Sequence, residues 1–326
     1  MRDFDRRQTM QTLLAAGALP LLTTHTLAQA GRTVRLVVPA APGGAIDAIG
    51  RLFASRLKET LNENWIVENK AGANNTLGAA EVARAQADGT TFLTNADIQI
   101  MARHVMKQVP YDPIADFTPI SRFATSPLVL VGHPGKTPAD IKILTREMLD
   151  SPDKHTFGNS ALGAMGHLAS ERFKSEIGAK TLIVSYRGTA PALQDVLAGQ
   201  TTLMVAPVGS AAQHISAGTL RAYAVMSAAR SSLLPQTPTM AELGFPGLNF
   251  TLWYGLWGPK DLPAAIIRSV SDAVQAGSRD PDLVQKLRAL GAEPVSETPD
   301  AFAQFIAQEA VKSAEIVKLA GIQPQG

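Results

Sequence analysis

Cysteine is absent from the 326 residues. No disulfide framework, zinc–thiolate site or thiol nucleophile is therefore available, and an oxidising compartment would be tolerated without mispairing. An excess of one charge is missing too. The 30 Lys and Arg stand against 28 Asp and Glu, a net charge of +2, so nothing attracts nucleic acid globally. With 45% hydrophobic and 18% charged residues the chain is not disordered, and it is long enough for one large domain or two ordinary ones.

Catalytic signatures are equally scarce. The histidines, His25, His104, His133, His155, His167 and His214, show no HxxxH or HxH spacing, so no metal site is expected. His167 and His214 read as packing or capping residues. "GNSALG", Gly158 to Gly163, has one residue too many for a GxSxG nucleophile elbow, which leaves Ser160 as a helix cap or a ligand hydroxyl. "APGGAID" lacks the Gly-Lys-Ser/Thr of a P-loop and no GxGxxG follows a strand, so neither a nucleotide nor any other cofactor is expected. Asp140 and Asp150 read as solvated surface.

What is present begins at the amino terminus. Residues 1–30 combine charged residues, a short apolar stretch interrupted by Pro20, Thr23, Thr24 and His25, and a polar end, which is the pattern of an export signal. Ala28 and Ala30 suit cleavage after Ala30. Arg6 and Arg7 leave the twin-arginine and the general secretory routes both open. Removal of this segment takes away three arginines and two aspartates and leaves 27 basic against 26 acidic residues.

From Thr33 onward short apolar runs alternate with helical patterns. The spacing predicts strands over Thr33–Val38, Trp65–Glu68, Thr91–Thr94, Thr156–Asn159 and Thr181–Ser185, with helices over Ile46–Leu61 and Leu77–Ala87. A helix with Thr189 as its cap follows, and a helical block spans about Ala264 to Leu319. Such alternation implies an α/β fold with parallel-type sheets flanked by helices. Two stretches differ. "PISRFATSPLVLVGHPG" and "LNFTLWYGLWGPKDLP" are long and β-rich and read as crossovers between two lobes. The expected division is lobe 1 from 31–124 plus 253–326 and lobe 2 from 125–252, with a ligand cleft between them and a hinge beneath. Trp253 and Trp257, on the second crossover, read either as reporters of closure or as packing residues.

In such sheets ligands sit beyond the carboxyl ends of strands, where loops enter helices. The loops at Pro39–Asp47, Asn69–Thr76, Thr94–Asp97, Asn159–Gly166, Tyr186–Thr189 and Ala206–Ser210 are rich in Gly, Asn, Ser and Thr and nearly empty of Lys and Arg. They offer backbone N–H groups and hydroxyls to an anion, at about 0.3–2 kcal/mol per helix terminus, so several must converge.

Five blocks, in order along the chain, carry a resemblance: "VVPAAPGGAIDAIGRLFASRL", "IVENKAGANNTLGAAEVARAQADGTTFL", "SPLVLVGHPG", "YRGTAPALQDVLAGQ" and "SAAQHISAGTLRAYAVMSAARSSLLPQTPTMAELGFPG". Together they resemble the Bug family, the extracytoplasmic solute receptors of tripartite tricarboxylate transporters. The resemblance implies a type II periplasmic binding fold that closes on a small carboxylate, a monomer, and delivery to a membrane permease. Carried over position by position, it assigns ligand binding to Pro42, Gly43, Gly44 and Asp47, to Thr94, Asn95 and Ala96, to Asn159 and Ser160, and to Tyr186, Arg187, Gly188 and Thr189. Ala164, Met165 and Gly166 stand where many members carry serines, which implies a more apolar pocket. Ala206 stands where an Asp is common, which disfavours an amino acid and points to a mono- or dicarboxylate with an apolar or aromatic body.

Asp47 carries two readings, a cap that reaches back to loop N–H groups or a group that shapes ligand choice. Two other functions stay open from sequence: a sensory module feeding a membrane receptor kinase, and a periplasmic hydrolase or isomerase. The second is disfavoured because no nucleophile, base and orienter can be named together.

Overall fold

The computed structural model describes residues 31–319 and 321–324, and the expected export signal, residues 1–30, lies outside the described residues. Strand β1 (Thr33–Val38) buries Val34, Leu36, Val37 and Val38 and runs through a Pro/Gly loop into α1 (Ala45–Leu61). That helix turns Ile49, Phe53 and Leu57 inward at four-residue spacing. It ends at Asn62, whose φ of 53° gives the left-handed cap. Next come β2 (Asn64–Asn69), α2 (Thr76–Ala83), β3 (Thr91–Ala96) and α3 (Ile98–Val105). The helix expected to reach Ala87 stops at Ala83, because the chain turns at Arg84 and Ala85 toward the tight turn before β3.

The first crossover is one 16-residue strand, β4 (Phe117–Gly132). After it come α4 (Ile141–Asp150), β5 (Thr156–Asn159), α5 (Met165–Ile177), β6 (Leu182–Ser185) and α6 (Thr189–Leu197). Then β7 (Leu203–Pro207), α7 (Val208–Ser216) and β8 (Arg221–Val225) lead to the second crossover, β9 (Thr251–Pro259). The expected closing helical block is three helices, α8 (Ala264–Gly277), α9 (Pro281–Ala289) and α10 (Pro299–Leu319), with the short β10 (Glu293–Pro294) between the last two. Asp280 makes the first break. It caps α9 by accepting from the Leu283 N–H at 3.0 Å, and Pro281 sits where a missing N–H does no harm. Asp140 is likewise a cap, for α4, rather than mere surface.

The strand order is β2-β1-β3-β9-β4-β7-β5-β6, with β8 and β10 also paired to β4. Only the flanks are parallel, β2-β1-β3 on one side and β7-β5-β6 on the other. The centre is antiparallel, because β9 opposes β3 and β4, and β4 opposes β7. The expected parallel-type pairing holds on both flanks, and β4 and β9 run antiparallel between them. Residues 117–127 of β4 pair with β9 and residues 128–132 with β7 and β8, so one strand joins the two flanks of the sheet.

Apolar clusters lie on both faces. One, with Phe53, Phe92, Tyr254 and Val274, lies under α1 and α8, and a larger one lies under α2, α3, α5 and α10. Trp253 and Trp257 are 1% exposed and pack in the larger cluster with Phe302 and Phe305, so they are core residues. The start of α7 touches the turn before β10. A Cβ built on Gly209 would stand 1.8 Å from the Leu290 carbonyl oxygen of the turn before β10.

Candidate functional site

The loop after β1 has Gly43 at φ 81° and Gly44 as N-cap of α1, with Pro42 and Gly43 exposed. Asp47, the third helical residue, is buried and organises the loop. One carboxylate oxygen, Oδ2, accepts from the Gly43 N–H at 2.9 Å and from Arg51 Nε at 3.1 Å; the other, Oδ1, accepts from Asn69 Nδ2 at 2.9 Å. Asn69 also donates to the Ala40 carbonyl at 3.1 Å and accepts from Arg51 at 2.9 Å. Burial raises the Asp47 pKa, but the hydrogen bonds from Arg51, Gly43 and Asn69 outweigh it and leave the carboxyl below its ordinary value. The capping reading is therefore realised. It carries a consequence for ligand binding, because the Gly43 N–H expected to face a ligand is already taken.

At the end of β3, Thr94, Asn95 and Ala96 are all buried. Asn95 turns onto its own helix: its Nδ2 donates to Gln99 Oε1 at 2.9 Å and its Oδ1 accepts from the Ala96 N–H at 2.9 Å. Thr94 Oγ1 is buried without a partner. Ala96 pairs with Tyr254 in the sheet. The next residue, Asp97, is 2% exposed and is the N-cap residue of α3. Its Oδ2 is buried without a partner. Burial pushes the Asp97 carboxyl up to about 7; the Met165 N–H opposes that rise and the Glu309 charge adds to it.

On the other flank of the sheet, the loops after β5 and β6 are tied together. Asn159 Nδ2 donates to Ser185 Oγ at 3.0 Å, the Asn159 carbonyl accepts from the Tyr186 N–H at 2.9 Å and the Ser160 carbonyl from the Gly188 N–H at 2.8 Å. Tyr186 donates its hydroxyl proton to Asp195 at 2.6 Å; burial first, and then that bond, push the phenol up to about 12. Arg187 is exposed. Gly188, at φ 128°, is the N-cap of α6, which corrects the expectation for Thr189: it is the first helical residue and makes no side-chain cap bond. Ser160 precedes α5 by several residues and does not cap it, since Ala164 holds that position. His167 Nδ1 accepts from the Gly163 N–H at 3.0 Å, the capping role expected of it, and burial holds its pKa down to about 4. Ala206 is fully buried in the apolar cluster of Val129, Val208 and Ala211.

The loop before α2 and the helix α3 meet the loop after β5. Asn74 Nδ2 donates to the Leu162 carbonyl at 2.9 Å, and a Cβ on Gly163 would stand 2.6 Å from Val105 Cγ1 of α3. Ala73, Asn74 and Asn75 are successive left-handed residues, at φ 45°, 53° and 68°, a conformation that costs an L-residue about 1–2 kcal/mol each and is easiest for Asn. Two cavities flank the crossover strands. One of about 120 Å³ is bounded by Arg122, Met165, Phe305, Glu309 and Lys312, and one of about 410 Å³ by Pro127, Ser227, Arg230, Leu233 and Arg288. Neither is lined by a residue that the sequence assigned to ligand binding.

Sequence reasoning included Asn69, Asn74 and Asp97 in its strand-to-helix loops but assigned none of them a role. Asp97 had a signal, a lone carboxylate between the apolar runs of "FLTNADIQIM". Asn69 and Asn74 had none, since their partners are fixed only by the fold.

The chain matches the family model described as "Tripartite tricarboxylate transporter family receptor" over residues 49–322. It is 33% identical over 296 residues to the protein BugT of Bordetella pertussis, covering 89% of this chain and 90% of that one. Among solved structures, the periplasmic binding protein BugD is 35% identical with a TM-score of 0.83, covering 90% of this chain and 99% of its own. An R. palustris protein solved with adipate is 32% identical with a TM-score of 0.84, at the same coverage. Among the described residues no helix is long and apolar enough to cross a membrane.

Proposed function

The chain belongs to the tripartite tricarboxylate transporter receptor family, the Bug proteins, and from that premise we propose that it works in the periplasm, capturing a small organic carboxylate for delivery to a membrane permease. The lobes are 31–124 plus 253–326 and 125–252, and β4 and β9 form the hinge. The ligand is a mono- or dicarboxylate with an apolar or aromatic body and no amine, held by the loops at residues 42–47, 94–96, 159–160 and 186–189. The protein acts as a monomer and transforms nothing.

The observation that carries this reading is the meeting of strand-to-helix loops from the two halves on either side of the crossover strands, through Asn74 with Leu162 and Gly163 with Val105. Such loops recognise an anion with N–H groups and helix dipoles. Ligand capture then favours closure by its differential affinity for the closed form. Adipate in a relative of similar fold, a dicarboxylate with an apolar body, supports the ligand class. The absence of a side-chain carboxylate at Ala206 supports the exclusion of amino acids.

A thermal-shift screen over carboxylates tests the proposal. A true ligand at 100 times its dissociation constant adds about 2.7 kcal/mol of stability and a matching rise in melting temperature. No shift with any carboxylate, on protein shown by mass spectrometry to carry no bound molecule, would overturn it.

A further inference from the structure

The larger of the two cavities is built like a binding site. Its volume of about 410 Å³ lies within the range of about 300–1,000 Å³ that small-molecule pockets occupy. Thr125 and Pro127 of β4 and Thr251 of β9 bound it from the sheet, where Pro127 pairs with Thr251. The carboxyl ends of two strands arrive beside them. Ala96, the last residue of β3, pairs with Tyr254 a few residues along β9, and Pro207, the last residue of β7, pairs with Leu128 next to Pro127. These strands belong to different parallel flanks, so the cavity sits where open α/β sheets hold ligands.

Its walls are fixed. The segment after β8 is held by Arg230, whose Nε and Nη2 donate to Glu242 at 2.9–3.1 Å and whose Nη1 donates to the Pro235 carbonyl at 3.2 Å. The turn after α9 is anchored by Ser126 Oγ, which donates to the Gly291 carbonyl at 2.8 Å, and by the close approach of Gly209 to Leu290. Walls held this way need little ordering when a ligand arrives.

Arg288 gives the cavity its chemistry. Its Nε donates to Glu293 Oε2 at 3.1 Å, and among the described residues its two Nη groups have no acceptor. The two side chains of that pair are 59% and 46% exposed, so the pair holds the guanidinium only weakly. An arginine can serve two carboxylates at once, as Arg35 of this chain does for Glu68 and Glu81. Ser231 Oγ accepts from the Leu233 N–H at 3.3 Å, which leaves its own proton free to donate, and the exposed Ser232 adds a second hydroxyl. Pro127, Ala228 and Leu233 supply an apolar part of the lining.

We propose that this cavity is an accessory site for a monocarboxylate with an apolar body: the free Nη edge of Arg288 takes the carboxylate, Ser231 and Ser232 add hydroxyl donors, and the body lies against Pro127, Ala228 and Leu233. One free guanidinium edge matches one carboxylate, because Arg230 is occupied by Glu242. None of the residues at 42–47, 94–96, 159–160 or 186–189 bounds the cavity, so the site adds to the receptor reading above and does not depend on it.

Binding of para-fluorobenzoate to the ligand-free protein, followed by fluorine NMR, tests the site, with para-fluorobenzamide as the uncharged control. Arg288→Gln removes the cation, and Ala228→Trp, at an exposed position, fills the cavity. The expected result is that the benzoate binds wild type at least about tenfold more tightly than it binds either variant, and at least about tenfold more tightly than wild type binds the benzamide. Equal affinity in wild type and both variants means that the benzoate is held elsewhere, which overturns the accessory site and leaves carboxylate capture by the loops standing. Loss in Ala228→Trp alone, or equal binding of the benzamide, overturns the assignment to a carboxylate. No binding to wild type at millimolar benzoate overturns it as well.

Discussion

Replacing Asp47 with Asn tests whether the β1–α1 loop is built around that carboxylate. Its two oxygens accept from Gly43, Arg51 and Asn69 at 2.9–3.1 Å. An amide has one oxygen. If that oxygen stays on Gly43, the new NH₂ faces Asn69 Nδ2, donor against donor. Turning Asn69 over relieves the clash only by surrendering its bond to the Ala40 carbonyl and the one it accepts from Arg51. One bond to a charged acceptor is lost on either route, worth about 1.5–3 kcal/mol. The Arg51 side chain is 50% exposed, so its ion pair adds only about 0–1 kcal/mol. Asp47→Asn should therefore destabilise the protein by about 2 kcal/mol at neutral pH, read from urea denaturation.

The pH dependence fixes the cause. The folded-state pKa of Asp47 is lowered, so its contribution is fully present above the ordinary carboxylate value and is lost as pH falls through the lower folded value. The gap between wild type and variant should hold from about pH 7 to pH 5 and narrow below about pH 4. A gap under about 0.5 kcal/mol at neutral pH, or one that widens in acid, would refute the reasoning.

Two further substitutions probe positions where the structure is equally explicit. Gly209→Ala places a Cβ 1.8 Å from the Leu290 carbonyl oxygen, backbone against backbone, so a loss of about 3 kcal/mol or more is expected in urea denaturation; a loss below about 1 kcal/mol would mean that α7 and the turn before β10 do not touch as described. Thr189→Ala should change stability by less than about 0.5 kcal/mol, because Gly188 is the cap, whereas a true Thr cap would lose about 1 kcal/mol in the same assay.

Much of the fold was legible because strand and helix periods are local. β1, α1 and β5 stand almost where their spacing puts them, and the long β-rich stretches are the strands β4 and β9. The direction of β9 was not legible, because a buried strand has the same apolar run whether its neighbour is parallel or antiparallel. At the site, the reach of Asp47 to Gly43 is a matter of helical spacing and could be read. Its bond to Asn69 crosses from α1 to the end of β2 and could not. Asn95 looked like a ligand group because it closes a strand before a helix, yet its amide is engaged by Gln99 one turn along. Asp97 shows the limit most plainly. Its residue type was visible, but its burial with one carboxylate oxygen left without a partner was not.

A calorimetric titration of the ligand-free protein with a panel of small acids tests carboxylate capture most directly. The panel should pair adipate and other amine-free mono- and dicarboxylates with aspartate and glutamate. The account predicts one-to-one binding, with an amine-free acid of apolar or aromatic body the tightest. Aspartate or glutamate binding tighter than every amine-free acid, or no acid binding at all, would contradict it.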